Sequence, residues 1–229
     1  DQNHNTSDLA TFAAENSIKS ANIDKETLDY IIVAHNFGEI DANSNNYIAL
    51  PSLASLVKHK LGIENPNCVA YDLIFGCPGW VEGVIQSSAY IKTGMAKKCL
   101  VIGADTLSRT VDSNDRDSMI FADGAGASII EESSESGGIL SHKTVTHAGK
   151  EALYLFADRS YNPESESKIK HIKMNGRKVY EFAISTIPEA LKECLEESGK
   201  KIEDVKKIFL HQANEKLDEA VLKYFYKLF

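Results

Sequence analysis

Apolar residues fall into two alternating kinds of run along this chain. One kind is short, nearly continuous and rich in β-branched residues: Leu28-Asp29-Tyr30-Ile31-Ile32-Val33-Ala34, Cys68-Val69-Ala70-Tyr71-Asp72 and Lys98-Cys99-Leu100-Val101-Ile102-Gly103-Ala104. Such runs predict strands buried on both faces. The other kind recurs at helical spacing. Thr6 or Ser7 is placed to cap a helix running to about Ser20. Pro51 to Leu61 carries Leu53, Leu56, Val57 and Lys60 at helical spacing and stops at Gly62. A helix from Pro78 carries Trp80, Val81, Val84, Ile85, Ser88 and Ala89 and stops at Gly94. This alternation predicts an α/β chain whose largely parallel sheet is covered on both sides.

The pattern loosens beyond residue 110. Asp112 to Ser118 reads as a polar loop, and Phe121 to Ile130 as a return to the core. The acidic, Ser- and Gly-rich stretch Glu131–Gly138 predicts a hairpin connection, with Gly138–Thr146 as its second strand. His147 to Ser167 reads as irregular, and Ile169–Met174 as a short strand. Two helical stripes close the chain. Val179, Phe182, Ala183, Ile187, Ala190, Leu191 and Leu195 form the first, with Pro188 inside it predicting a kink. Leu217, Ala220, Val221, Tyr224, Phe225 and Leu228 form the second. Between them, Val205–His211 reads as a strand. A helix, a short polar turn and a strand thus occur twice, at 10–34 and 189–211.

Composition narrows the classes. The 229 residues are 43% hydrophobic and 25% charged, ordinary for a soluble globular chain. A net charge of −8, without a basic stripe, argues against nonspecific nucleic-acid binding. No apolar run is long enough to predict a membrane span. The start, Asp1-Gln2-Asn3-His4-Asn5, lacks the apolar segment of a signal peptide. Cys68, Cys77, Cys99 and Cys194 lie far apart, in no zinc-binding spacing, and a reducing cytoplasm is the simplest setting.

Cys77 carries the candidate chemistry. A strand, a glycine-bearing turn (Phe75-Gly76-Cys77-Pro78-Gly79) and a helix meet there. Pro78 fits the first helical position, which places the sulfur at a helix N-terminus, where unpaired N–H groups favour the thiolate nucleophile. A buried structural cysteine is the alternative. His211-Gln212-Ala213-Asn214 follows its predicted strand directly, where ligand crevices open in α/β sheets. A cysteine and a histidine together form a recurring nucleophilic pair.

With these residues in view, the chain resembles the β-ketoacyl-acyl-carrier-protein synthase III family of the thiolase superfamily. The matching pieces occur in the family's order: Leu50-Pro51-Ser52, Asp72…Gly76-Cys77-Pro78-Gly79-Trp80, Ile102-Gly103-Ala104-Asp105…Ser108-Arg109, Asp115-Arg116, Phe121-Ala122-Asp123-Gly124-Ala125-Gly126, Met174-Asn175-Gly176 and His211-Gln212-Ala213-Asn214. The resemblance implies a thiolase-like layered α-β-α-β-α fold of two similar halves, here incomplete at both ends: residues 1–140 bearing Cys77, and 141–229 bearing His211. It implies a homodimer and a ping-pong, decarboxylative condensation through an acyl-Cys77 intermediate. His211 would donate a hydrogen bond to the developing enolate. An oxyanion hole, including the Cys77 N–H, would contribute about 3–4 kcal/mol per donor. Leu50, Arg116, Phe121, Met174, Gly176, Ala213 and Asn214 match substrate-binding positions, and Lys216 and Lys223 match carrier-protein docking positions. The substrates implied are coenzyme A or phosphopantetheine thioesters, with no cofactor or metal, and the partner is acyl carrier protein.

Departures from the family pattern keep other readings open. The family's third catalytic residue, an asparagine in a later Gly-Asn-(Ser/Thr) motif, does not occur, and Glu181 stands where many members have lysine. Pro78-Gly79-Trp80 replaces the commoner small residue-Gly-Phe, and Leu50 stands where some members carry an aromatic gate. One alternative is a condensing enzyme of secondary metabolism joining β-keto acyl thioesters; another is a non-catalytic synthase-like subunit. An α/β-hydrolase elbow fits poorly, because it needs glycine two residues before the nucleophile, where Phe75 stands.

Overall fold

The computed structural model describes residues 3–41, 46–135 and 137–229. Asp1 and Gln2 of the polar start, and Ser136 of the expected hairpin turn, lie outside the described residues. The chain divides into two compact units, Asp1–Thr110 with Ala122–Glu135, and Val111–Phe121 with Ser136–Phe229.

The first unit contains α1 (Thr6–Ala21), β1 (Tyr30–His35), β2 (Glu39–Ile40), β3 (Tyr47–Ile48), α2 (Leu53–Lys60), β4 (Val69–Ile74), α3 (Gly79–Lys92), β5 (Lys98–Thr106) and β6 (Asp123–Glu131). Its main sheet runs β4-β1-β5-β6. β4, β1 and β5 are parallel, and β6 returns antiparallel to β5. The three strands predicted from continuous apolar runs are all present. β1 and β5 are central and buried, whereas β4 is an edge strand with Val69 and Ile74 exposed.

Strand periodicity assigns the two faces. Ile31, Val33, Leu100 and Ile102 pack with Ala10, Ala14, Leu53, Ala54 and Val57 of α1 and α2. Ile32, Ala34 and Val101 meet α3. There the helix approaches unusually closely: a Cβ at Gly79 would lie 2.8 Å from Ala34 Cβ, and one at Gly83 2.7 Å from Val101 Cγ1. Glycines four residues apart keep one face of α3 flat against the sheet.

The cap of α1 differs from expectation. Asn5 is the N-cap, with Asp8 accepting from the Asn5 N–H at 2.9 Å. Thr6 and Ser7 are buried inside the helix instead. Thr6 pairs with the Thr106 hydroxyl, and Ser7 donates its N–H and hydroxyl to Glu39 at 2.8 and 2.9 Å.

The second unit holds β7 (Leu155–Asp158) and β8 (His171–Met174) as an antiparallel pair, followed by α4 (Gly176–Glu197) and α5 (Glu215–Tyr226), which pack together. α4 runs unbroken through Pro188, which is buried. Two predicted strands are absent: Gly138–Thr146 and Val205–His211 have no strand pairing. A strand exists only through its ladder partner, and neither segment has one among the described residues. Ser141 and Lys143 bind α4 instead, Ser141 Oγ donating to the Cys194 carbonyl at 2.6 Å and Lys143 pairing with Glu193 at 2.6 Å. Conversely, β7 lies within the stretch that reads as irregular. The repeated helix and turn recur, with 3-10 turns at Lys25–Thr27 and Ile202–Asp204, but only the first continues into a strand.

Candidate active site

Cys77 sits just beyond the C-terminal end of β4, at the edge where the parallel strands of the first unit all end. Gly76 adopts φ +73, a left-handed conformation that a side chain resists. It turns the chain so that the Gly79 N–H donates to the Gly76 carbonyl at 2.9 Å. Helix α3 begins at Gly79, and Pro78 is its N-cap rather than its first residue. Cys77 therefore lies outside the helix, and the first helical N–H is spent on the turn.

This corrects the expected thiolate. Cys77 is exposed as a residue, yet the protein around its sulfur desolvates the thiol and pushes it up, and the Asp105 carboxylate adds to this. A contact from the residue's own N–H works in the opposite direction and does not prevail.

Three groups flank this turn in the first unit. Asp105, at the end of β5, accepts from the Asn36 side-chain amide at 2.7 Å and the Asn36 N–H at 3.0 Å. Burial raises its carboxyl above the ordinary value. Asp72 of β4 accepts from the Leu53 and Ala54 N–H groups at 2.8 and 2.7 Å, completing the N-terminus of α2. The buried His35 brings Nε2 to 3.2 Å from Asp72, an ion-pair approach without an aligned hydrogen bond. Burial alone would raise Asp72, but His35 and the two amides hold it below its usual value. Leu50 precedes α2 and is 83% exposed.

The remaining candidates belong to the second unit. Arg116 begins a 3-10 turn, Arg116–Ile120, and is exposed; Phe121 follows it, half-buried. Met174 ends β8 and Gly176 opens α4, so these two are neighbours. A Cβ on Gly176 would lie 3.6 Å from Asp117 and 3.7 Å from the Met174 methyl. His211 is exposed, its carbonyl accepting from the Ala213 N–H at 3.1 Å, and Ala213 is half-buried. Asn214 caps α5 by accepting from the Leu217 N–H at 3.0 Å. Lys216 and Lys223 are exposed on α5. Glu181 is engaged by Arg177 at 2.8 Å and Lys178 at 2.9 Å.

Lys173 lies inside the short strand predicted at Ile169–Met174 and belongs to no motif quoted from the sequence. It is 1% exposed and paired with Asp112 and Asp115, beside the Tyr161 ring. Asp105 and Asn36 likewise carried no expected role, although Asp105 lies within the quoted motif Ile102-Gly103-Ala104-Asp105…Ser108-Arg109. Concavities of about 480 Å³ (Leu140, Leu195, Val205) and 350 Å³ (Ile18, Ile23, Leu61) are lined by neither Cys77 nor His211. Among the described residues no helix is long and apolar enough to cross a membrane, and no cluster of His, Cys, Asp and Glu could hold a metal ion.

Comparison with known proteins bears on these features. The model of 3-oxoacyl-[acyl-carrier-protein (ACP)] synthase III matches residues 71–148, which include Cys77. The β-ketoacyl-[acyl-carrier-protein] synthase III of Clostridium acetobutylicum is 38% identical over 225 residues, covering 96% of this chain and 66% of that protein. Its counterpart in Neisseria gonorrhoeae is 35% identical over 224 residues, covering 97% and 67%. The crystal structure of 3-oxoacyl-[acyl-carrier-protein] synthase III from Aquifex aeolicus superposes with a TM-score of 0.84 at 30% identity, covering 98% of this chain and 67% of that one. The chain thus spans about two thirds of the length of the relatives it matches, and the thiolase-like α/β fold class stands.

Proposed function

The chain belongs to the β-ketoacyl-acyl-carrier-protein synthase III family, and from that premise we propose that it serves a decarboxylative condensation of fatty-acid biosynthesis with Cys77 as acyl acceptor. The observation that carries the reading is the position of Cys77: exposed, on a left-handed glycine turn, at the C-terminal edge of parallel strands. In the first half-reaction the Cys77 sulfur attacks an acyl thioester. A sulfur–acyl bond forms, the thioester carbon–sulfur bond breaks, and the released thiol takes up the cysteine proton. In the second, malonyl-carrier loses carbon dioxide, and the resulting carbanion attacks the acyl-cysteine. A carbon–carbon bond forms, and the Cys77 sulfur leaves and regains a proton. The thioesters supply the activated carbon, so the reading calls for no cofactor.

His211 is assigned to hydrogen-bond donation toward the thioester oxygen as the enolate develops, a role typically worth several kcal/mol. Leu50, Arg116, Phe121, Met174, Gly176, Ala213 and Asn214 are assigned to the thioester. The exposed Lys216 and Lys223 are assigned to an acidic carrier protein. The exposed outer edge of β4 supports pairing with a second copy, hence a homodimer. A cytoplasmic setting suits its four free cysteines.

The test uses the complete reading frame. Incubation with acyl-coenzyme A should add the acyl mass to the peptide bearing Cys77. A Cys77→Ala protein that condenses at the normal rate overturns the reading.

A further inference from the structure

The acyl-transfer reading gives Lys173 no task, yet this cation is fully withdrawn from solvent. A charge leaves water only where partners compensate it. Its carboxylate partners come from one excursion of the chain, residues 111–121, and each holds the ammonium with one oxygen and its own loop with the other. Asp115 meets Lys173 Nζ through Oδ2 at 3.2 Å and accepts from the Asp117 N–H through Oδ1 at 3.0 Å. Asp112 meets Nζ through Oδ2 at 2.5 Å and accepts from the Asn114 N–H through Oδ1 at 3.0 Å. The Asp112 carbonyl also accepts from the Asp115 N–H at 2.9 Å. Burial alone would lower the ammonium, but Asp112 and Asp115 raise it, so it stays charged.

These bonds fix the start of the 3-10 turn Arg116–Ile120. Asp115 is its N-cap, and the Ser118 N–H donates to the Asp115 carbonyl at 3.0 Å. Arg116 is the first residue of the turn and is exposed, next in sequence to the carboxylate that Lys173 holds. A 3-10 run has poor hydrogen-bond geometry of its own, so attachment to β8 decides where the guanidinium stands. Resting on the acyl-transfer reading only for the assignment of Arg116 to the thioester, we infer that Lys173 is a positioning residue for thioester binding: by drawing Asp112 and Asp115 together it fixes the turn that presents Arg116 to the phosphate-bearing end of coenzyme A. A guanidinium binds phosphate through paired N–H donors in a fixed plane, so its orientation matters as well as its charge.

The experiment measures coenzyme A binding to the complete protein by calorimetry, which needs no condensation. Arg116→Ala should weaken binding about tenfold, the loss of one hydrogen bond to a charged group. Lys173→Met should weaken it about fivefold or more, since a planar two-donor contact tolerates little displacement. Because Lys173→Met also removes stability, Asp115→Asn is the second variant. It drops the charge that meets Lys173, keeps an oxygen for the Asp117 N–H, and should weaken binding about threefold. A double-mutant cycle separates positioning from stability. In the Arg116→Ala background either substitution should change affinity by less than about twofold, because the residue it positions is gone. A purely structural role would instead cost the same factor in both backgrounds. Folded variants that bind coenzyme A as the wild type does, or that lose the same factor with and without Arg116, overturn the inference. A wild-type protein that binds no coenzyme A overturns it too. A protein that binds coenzyme A and shows the coupling but never acquires an acyl group on Cys77 sinks the acyl-transfer reading alone.

Discussion

Lys173 and Asp112, 61 residues apart in sequence, form an ion pair 2.5 Å long in which neither side chain is more than 2% exposed. Asp115 approaches the same ammonium at 3.2 Å, and the Tyr161 ring lies 3.5 Å from it. Asp112 also accepts from Ser160 Oγ at 2.9 Å and the Tyr161 N–H at 2.7 Å. The pair thus ties the 111–121 excursion to β8, immediately before Met174 and Gly176.

Removing one partner leaves a buried charge uncompensated. Lys173→Met should destabilise the protein by about 3–5 kcal/mol. Urea unfolding measures it; a loss below about 1 kcal/mol would show that water reaches the carboxylates.

The pair also sets an acid dependence. Burial alone would raise Asp112, but the Lys173 ammonium and the Tyr161, Asn114 and Ser160 donors hold its carboxyl far below the usual range. A depressed carboxylate stabilises the fold above its unfolded value of about 3.9, and this contribution fades as pH falls toward the folded value. The stability gap between wild type and Asp112→Asn should therefore be full at pH 7 and shrink between about pH 4 and pH 2. Urea midpoints across that range decide it, and a gap independent of pH contradicts the assignment.

Close approach of α3 predicts a steric cost. Gly83→Ala would put a methyl 2.7 Å from Val101 Cγ1, so α3 must shift, at about 1–3 kcal/mol. Thermal unfolding reports it. Gly94→Ala, where a Cβ meets nothing within 4 Å, should cost only the strain of its left-handed backbone, about 1–2 kcal/mol.

At the turn itself, Gly76→Ala strains the positive φ, while the added Cβ would meet Asn36 Oδ1 only in ordinary contact at 3.5 Å. Acylation of Cys77 should slow by at least about tenfold, since small displacements of a nucleophile are costly. Mass spectrometry of the acyl-peptide gives the rate, and retention of the wild-type rate would mean that the turn does not set the sulfur's position.

Asp72 holds the N-terminus of α2 with two N–H bonds. Asp72→Ala should cost about 1–2 kcal/mol, the range for a lost cap. If chemical denaturation finds no change, His35 and solvent have taken over both donors.

The alternating elements of the first unit were legible because their determinants are local. Ile31-Ile32-Val33 and Leu100-Val101-Ile102 announce buried strands by composition, and Gly76-Cys77-Pro78-Gly79 announces a turn by backbone stereochemistry. The family motifs were legible for the same reason, being short and contiguous. Less visible was the spacing of Gly79 and Gly83, whose meaning depends on Ala34 and Val101 lying beneath them.

What only the tertiary structure decided were properties that need a distant partner. Gly138–Thr146 and Val205–His211 have strand-like composition, yet a ladder requires a neighbour, and none pairs with them among the described residues. Lys173 reads as a solvated side chain until Asp112 and Asp115 close over it. The sulfur of Cys77 sits where a helix end favours the anion on paper; desolvation and Asp105, 28 positions away, reverse the balance. Periodicity and turn chemistry act over a few residues and are written in the chain, whereas burial and electric field are sums over whatever the fold brings near.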